Sequence, residues 1–323
     1  MRMIYHFGNG GLSKCPPDAK VTDSAVWIDL LNPTLEEEHE VEAFLGLDVP
    51  TRAEIREIEA SNRFYEENGG AFMTCVVMHN IEDPVPLTST LTFILKDQRL
   101  ITLRYSEPRS FPIFATRAEK GAAPCQSGAF IMIGILEVLV QRHADLIERI
   151  QDEVEKIAQG VFNLNTTRRD ASKRLDVQLR KIGKEGDLVS RMLEAAASID
   201  RVLNFFHATG KKRGYDDQIL DRITTAHRDV NSIMEHARFL TNRIGFLVEA
   251  TLGMIATEQN QIIKLFSVMA VMLMPPTLVA SIYGMNFEFM PELKWQIGYP
   301  LALLTMLVSG ILPYIYFRRK GWL

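Results

Sequence analysis

Apolar and polar positions change their spacing twice along this chain. Within residues 1–110, short apolar runs bounded by polar clusters predict strands at 3–7, 25–31, 71–78, 89–95 and 100–105. The last two flank Lys96-Asp97-Gln98-Arg99, which reads as a hairpin turn. Thr34 followed by Glu37 forms a capping box that opens a helix to about residue 44. Past residue 111 strand signals stop and helical spacing takes over. One helix is predicted over 128–159 and another over 167–209, the second broken by Gly210-Lys211-Lys212-Arg213-Gly214. From residue 215 no proline occurs until Pro275. A helix of that length is on the order of 90 Å long, more than a compact domain needs, and reads as a stalk.

Two charge-free stretches follow, 265–284 and 297–317. Each is about twenty residues, the length that crosses a ~30 Å hydrocarbon layer as a helix. The intervening 287–296 is too short to be a domain, so the pair forms a hairpin. Pro275-Pro276 is expected to interrupt the first span. Lys264 precedes the first span and Arg318-Arg319-Lys320 follows the second, which places both outer ends in the cytoplasm. The expected organisation is an α/β domain (1–120), a helical region (121–214), a stalk helix (215–264), a first span (265–284), an outer loop (285–296), a second span (297–317) and a basic tail (318–323).

Asn260, Ile263, Ser267, Ala270, Met274, Thr277, Ser281 and Gly284 recur at helical spacing and fall on one face of the first span. Most are small or polar. Two readings stand: a packing seam, where small residues let helices approach, or the wall of a water-filled pore. A chain with two spans cannot enclose a conduit alone, so the second reading requires an oligomer.

The remaining chemistry narrows the function by exclusion. A net charge of −4 argues against general nucleic-acid binding. Cys15, Cys75 and Cys125 lie too far apart for a zinc site and do not form a disulfide framework. His39, His79, His143 and His227 show no metal-ligand spacing, and no Gly-x-Ser-x-Gly elbow occurs. The segment Gly8-Asn9-Gly10-Gly11-Leu12-Ser13-Lys14-Cys15 lacks the glycine before lysine and the hydroxyl after it that a phosphate loop needs. Residues 1–9 lack the pattern of a secretion signal. Asn165-Thr166-Thr167 fits a glycosylation sequon, irrelevant on a cytoplasmic segment. No catalytic constellation emerges, and an enzyme is not expected.

The first span ends in Tyr283-Gly284-Met285-Asn286, followed by Met290-Pro291-Glu292-Leu293. At this position the combination resembles the CorA family of magnesium transporters, with the likeness running from about residue 257 to 323. The resemblance implies an α+β cytoplasmic domain, a long stalk helix and two C-terminal transmembrane helices assembled as a funnel-shaped homopentamer. It places the protein in a bacterial inner membrane, multi-pass, with both termini cytoplasmic. The first-span helices would line the pore, with Gly284, Met285 and Asn286 as the selectivity filter. Met274 would be a hydrophobic constriction and Asn260 the cytoplasmic pore mouth. A ring of Asn286 amides would hold hydrated magnesium, and Glu288 and Glu292 would attract cations to the loop. The implied cargo is Mg2+, with Co2+ and Ni2+, and no organic cofactor. The implied partners are copies of the chain and membrane lipid, not nucleic acid. Cytoplasmic magnesium bound between subunits would close the channel. Glu36, Glu37, Glu38, Asp83, Asp221, Asp229 and Glu249 are candidate carboxylates for that site. The rival readings are a ZntB-like zinc transporter and a non-conducting, tail-anchored coiled-coil scaffold.

Overall fold

The structure is a computed structural model that describes every residue except 9, 17, 58–62, 84–85, 163–167, 287, 289 and 323, and side chains other than those of 56–57, 168–173 and 293. The Asn165-Thr166-Thr167 sequon, Phe287, Phe289 and Leu323 lie outside the described residues. The chain forms two compact units, one of Met1–Asn163 with Gln178–Leu247, the other chiefly Val248–Leu323.

The first unit is built on a seven-stranded sheet of order β2-β1-β3-β7-β6-β5-β4. The strands are β1 (Arg2–Gly8), β2 (Gly11–Lys14), β3 (Ala25–Leu31), β4 (Phe64–Glu67), β5 (Gly70–His79), β6 (Leu87–Lys96) and β7 (Arg99–Arg104). All neighbours are antiparallel except β3 and β7, which run parallel. The segment with the phosphate-loop likeness is the β1–β2 connection, with Gly8 opposite Gly11. The β6–β7 hairpin closes through Asp97 at φ 53, with Lys96 opposite Arg99. The β4–β5 hairpin turns on Asn68 and Gly69, both at positive φ, the backbone that a tight two-residue turn requires.

Alternation along the strands assigns the two faces of the sheet. Ile28 and Leu30 of β3 and Ile101 and Leu103 of β7 pack against helix α1 (Leu35–Leu45) and helix α2 (Arg52–Glu57), through Val41, Leu45 and Ile55. Thr34 and Glu37 form the expected capping box, and Gly46 ends α1 in the left-handed region. The opposite face carries Trp27, Asp29, Thr102 and Arg104. Trp27 packs on Phe111 and Phe114 of α3 (Ser110–Glu119). Helix α4 (Gly128–Phe162) starts on the sheet, where Gly128 donates its N–H to Gln98 O at 2.6 Å. A Cβ at Gly128 would overlap the Arg99 backbone, so only glycine allows this approach.

That second face buries an ion pair. Arg104 donates twice to Asp29, from Nε to Oδ1 at 2.9 Å and from Nη2 to Oδ2 at 2.8 Å. Thr102 Oγ1 donates to Asp29 Oδ1 at 2.8 Å, and Trp27 Nε1 donates to Thr102 Oγ1 at 3.0 Å. The guanidinium also lies 4.5 Å from the Phe111 ring centre. Each member has its partners, which is the condition for tolerating a buried charge pair.

Two long helices follow. Helix α5 (Arg168–Arg213) covers the stretch of β5 that short β4 leaves unpaired, and its Ser198 Oγ accepts Val76 N–H at 2.8 Å. The sequence places the end of this helix at Gly210, and the structure corrects that: the helix continues to Arg213 and ends at Gly214, φ 67. Gly210 serves packing instead. A Cβ there would come within 2.8 Å of the Tyr215 ring, which folds back beneath Tyr215 N–H donating to Gly210 O. Helix α6 (Asp217–Tyr283) has 67 residues and is shared by both units. Within the first unit Arg222 of α6 clamps Glu137 of α4 with two hydrogen bonds, 2.8 and 2.6 Å.

Removing one partner of the buried pair strands the other charge. Asp29→Ala is therefore expected to lower unfolding free energy by about 3–5 kcal/mol, read by denaturant unfolding of the full chain in detergent. A loss below about 1 kcal/mol would show that the pair does not hold the sheet together. A second expectation concerns pH. His143 of α4 is buried, with Nδ1 2.7 Å from Leu139 O, and burial pushes its pKa below the ordinary 6.5. The unfolded chain then takes up a proton first as pH falls, so stability is full above about 6.5 and declines below it. His143→Leu should flatten that decline.

Candidate functional site

The second unit contains the end of α6, a 3-10 turn over Pro291–Lys294 and helix α7 (Gly298–Arg319). Among the described residues, α6 and α7 are the two helices with a stretch long and apolar enough to cross a membrane. Only 6 % of each apolar window is buried within the chain, so neither is a core helix of this chain. Their apolar side chains need cover that a single copy does not supply.

Burial within α6 shows which face α7 occupies. Across 265–284, Val268 alone is buried, at 1 % exposure, and Met272, Pro275, Pro276 and Val279 are half-buried. These positions form one helical stripe. On α7 the matching stripe is Ala302, Met306, Ser309, Gly310 and Pro313. Small residues thus line the seam, but they belong to α7. A Cβ at Gly310 would sit 3.4 Å from Pro276 Cγ and 3.5 Å from Met272 O, ordinary contact distance, so the two helices touch at this point.

The polar row lies on the other side. Asn260, Ile263, Ser267, Ala270, Met274, Thr277, Ser281 and Gly284 are all exposed, and at 3.6 residues per turn they face away from the α7 seam. Met274 is 68 % exposed. Of the two sequence readings, an intrachain seam with the second span is therefore excluded for this row. Its side chains stand free for water or for further copies. Thr277 Oγ1 donates to Leu273 O at 2.7 Å, which leaves the oxygen's lone pairs toward that free face.

The expected interruption at Pro275-Pro276 does not occur: α6 is continuous through both to Tyr283. Proline removes the donors that would reach Val271 O and Met272 O. The close approach at Gly310 puts α7 against the second of these carbonyls. α7 packs on this part of α6, and the helix runs on without a break through both prolines.

Gly284 N–H still bonds Ala280 O at 2.9 Å, and Met285 N–H closes a tighter last turn on Ile282 O at 3.3 Å. Asn286 follows beyond the helix, exposed, with its amide unbonded among the described residues. Glu288 and Glu292 are exposed. Glu292 is fixed through its backbone, because a Cβ at Gly298 would come within 2.5 Å of Glu292 O. Gly298 therefore docks the 3-10 turn onto the start of α7. The sequence reading does not use this glycine, whose place as the second residue of the charge-free run 297–317 is the available signal.

The candidate regulatory carboxylates are scattered. Glu37 is occupied by its capping box and by the Met1 ammonium at 2.9 Å; burial opposes ionisation, yet the Thr34 N–H and that ammonium outweigh it and lower its pKa. Burial pushes the Glu38 carboxyl up. Glu36, Asp83, Asp221, Asp229 and Glu249 are exposed. Among the described residues of one chain, no three acidic, histidine or cysteine side chains converge as a metal-ligand set.

If the polar row faces water in the assembled protein, cysteines at Thr277 and Ser281, on a Cys15→Ser background, should react with a membrane-impermeant thiol reagent. Cysteines at Met272 and Val279 should be protected at least tenfold. The reverse pattern would place the seam, not the row, against water.

The chain is similar to known magnesium transport proteins over most of its length. The chain is 36 % identical over 299 residues to the magnesium transport protein CorA of Salmonella typhimurium, covering 93 % of this chain and 92 % of that protein. It is 35 % identical over 300 residues to the magnesium transport protein CorA of Escherichia coli, with the same coverage. Its fold superposes on the CorA magnesium transporter of Methanocaldococcus jannaschii with a TM-score of 0.74 at 17 % identity, covering 100 % of this chain and 99 % of that one. The CorA-like Mg2+ transporter protein family matches residues 22–319, and this chain belongs to that family.

Proposed function

We propose that copies of this chain surround an aqueous pore that carries Mg2+ across a bacterial inner membrane. The observation that carries this reading is the exposed polar row of α6, turned away from α7 and leading to the free amide of Asn286. A scaffold anchored by the same two helices would have no use for it. Five copies, the number the resemblance implies, close a ring by rotation. Lys264 and the Arg318–Lys320 triplet put both termini on the cytoplasmic side.

The chemistry suits a hydrated ion. Mg2+ releases its waters reluctantly. Neutral amide oxygens at Asn286 accept hydrogen bonds from those waters without stripping them, and hold the ion weakly enough for it to leave. Glu288 and Glu292 in the outer loop raise the local cation concentration. Along the row no charge binds the ion, and Met274 narrows the path with an apolar side chain. Co2+ and Ni2+, similar in charge and hydration, are further cargo. Regulation by cytoplasmic Mg2+ would use carboxylates from neighbouring copies, because the described residues of one copy assemble no ligand set. Such binding favours the closed state and shifts the population toward it.

The test is uptake of Mg2+, Co2+, Ni2+ and Zn2+, each alone, into vesicles holding the purified protein, with and without a proton gradient. Asn286→Ala is expected to reduce Mg2+ uptake by more than tenfold while the oligomer keeps its size. Undiminished Mg2+ flux in that variant would overturn the role of the amide. Zn2+ uptake that requires the proton gradient, without Mg2+ uptake, would favour the zinc carrier.

A further inference from the structure

At the end of α7 the chain folds back on itself. Trp322 N–H donates to Phe317 O at 3.1 Å and Gly321 N–H to Arg318 O at 3.2 Å, with Gly321 at φ 69. This is the Schellman arrangement, and its usual apolar contact is present as the Phe317–Trp322 stack, with ring centres 5.3 Å apart. Trp322 thereby comes under Lys264 of α6, whose Nζ lies 5.9 Å from the ring centre. Lys320 Nζ lies 5.2 Å from the Tyr316 ring. The turn gathers Lys264, Arg318, Arg319 and Lys320 at one end of the helix pair, all exposed, among Tyr316 and Trp322, which are 54 % and 46 % exposed.

Among the described residues, no carboxylate forms a salt bridge with any of these four cations. After Glu258 the only acidic residues are Glu288 and Glu292, at the other end of the hairpin. Cations in the last helical turn suit the carbonyl end of α7, but that does not account for Lys264, which lies inside α6. Lys264 lies on the flank of the polar row, four residues after Asn260 and three before Ser267, but its Nζ reaches over the Trp322 ring of the α7 tail. That lean carries its charge towards the α7 tail.

We propose that this rim is a binding site for the phosphate of an anionic phospholipid, with Lys264 and the Arg318–Lys320 triplet contacting the phosphate and Tyr316 and Trp322 lying at headgroup depth. It rests on the membrane-spanning reading above. Aromatic rings with one wet edge favour that depth, and basic side chains beside a span attract anionic headgroups. The Gly321 turn brings Trp322 under Lys264 and keeps the basic tail at this end of the helix pair.

The test uses the full chain, delipidated in detergent, titrated with dioctanoyl phosphatidylglycerol, dioctanoyl phosphatidylcholine or inorganic phosphate, and read by native mass spectrometry. Phosphatidylglycerol is expected to bind at least tenfold more tightly than phosphatidylcholine. Each cation removed should cost about fivefold, so Lys264→Gln loses about fivefold and Arg318→Gln/Arg319→Gln/Lys320→Gln roughly a hundredfold. Gly321→Val, which cannot hold the positive φ, should weaken binding while the assembly persists. Lys294→Gln in the outer loop should change nothing. Equal binding of the two lipids, or no loss in the triple variant, overturns the site and leaves the spans intact. Displacement of phosphatidylglycerol by equimolar phosphate would show a soluble-anion site and overturn the lipid assignment. Failure of the protein to insert into vesicles of either lipid would instead overturn the membrane reading itself.

Discussion

One constraint organises the C-terminal part of this chain: a polar group in hydrocarbon must find a partner, and one copy offers partners on one face only. Helix α7 covers the Val268–Met272–Pro276–Val279 stripe of α6, with Ala302 and Gly310 small enough for close contact. The opposite face, with Ser267, Thr277 and Ser281, is left uncovered. Thr277 answers locally by donating to Leu273 O, but a hydroxyl bonded back to its own helix still presents an acceptor outward. Lipid cannot satisfy that acceptor. Water or another copy can, and a ring of copies around water supplies both.

The proline pair makes sense within the same constraint. Removing two N–H donors from the middle of a span leaves two carbonyls unpaired, a cost of several kcal/mol in lipid if nothing approaches them. Gly310 brings α7 to within contact of Met272 O, and the helix remains continuous. Backbone left short of hydrogen bonds is a place where a helix can change shape at low cost, and here it lies one turn from Met274. The N-terminal sheet shows the opposite strategy. Asp29, Thr102, Trp27 and Arg104 satisfy one another fully, across a parallel β3–β7 pairing that only that register permits. A one-residue slip would turn the charges into the α1 side of the core.

Much of this was legible from spacing. Strands 25–31 and 100–105 were read within a residue of their ends, because alternation and turn residues agree there. The capping box at Thr34 and the single-face placement of the polar row follow from local periodicity alone. The errors share a cause. Gly210 was read as a breaker, but its lack of a side chain makes room for Tyr215, a contact no local rule reveals. Pro275-Pro276 was read as an interruption, but α6 runs on through both where α7 packs on it. Strand β4 was missed although Asn68-Gly69 is a strong hairpin signal, because the strand is only four residues long. Which face of α6 receives α7 was not legible, since both faces carry small or apolar residues; Ala302, Ser309 and Gly310 on α7 carried the information instead.

Charge is distributed along the hairpin in an order that matches a cation's path. Acidic Glu288 and Glu292 stand at one end, the polar row carries no charge, and four cations stand at the other end. Positive charge where a dication must leave would oppose conduction if it faced the path. Lys264 lies on the flank of the row, beside Asn260 and Ser267 at helical spacing, but its ammonium reaches over Trp322 towards α7. The fold-back at Gly321 keeps the basic tail at this end of the helix pair. On the proposal that leaflet phosphates neutralise this rim, the potential along the polar row is left to neutral oxygens and to the acidic loop.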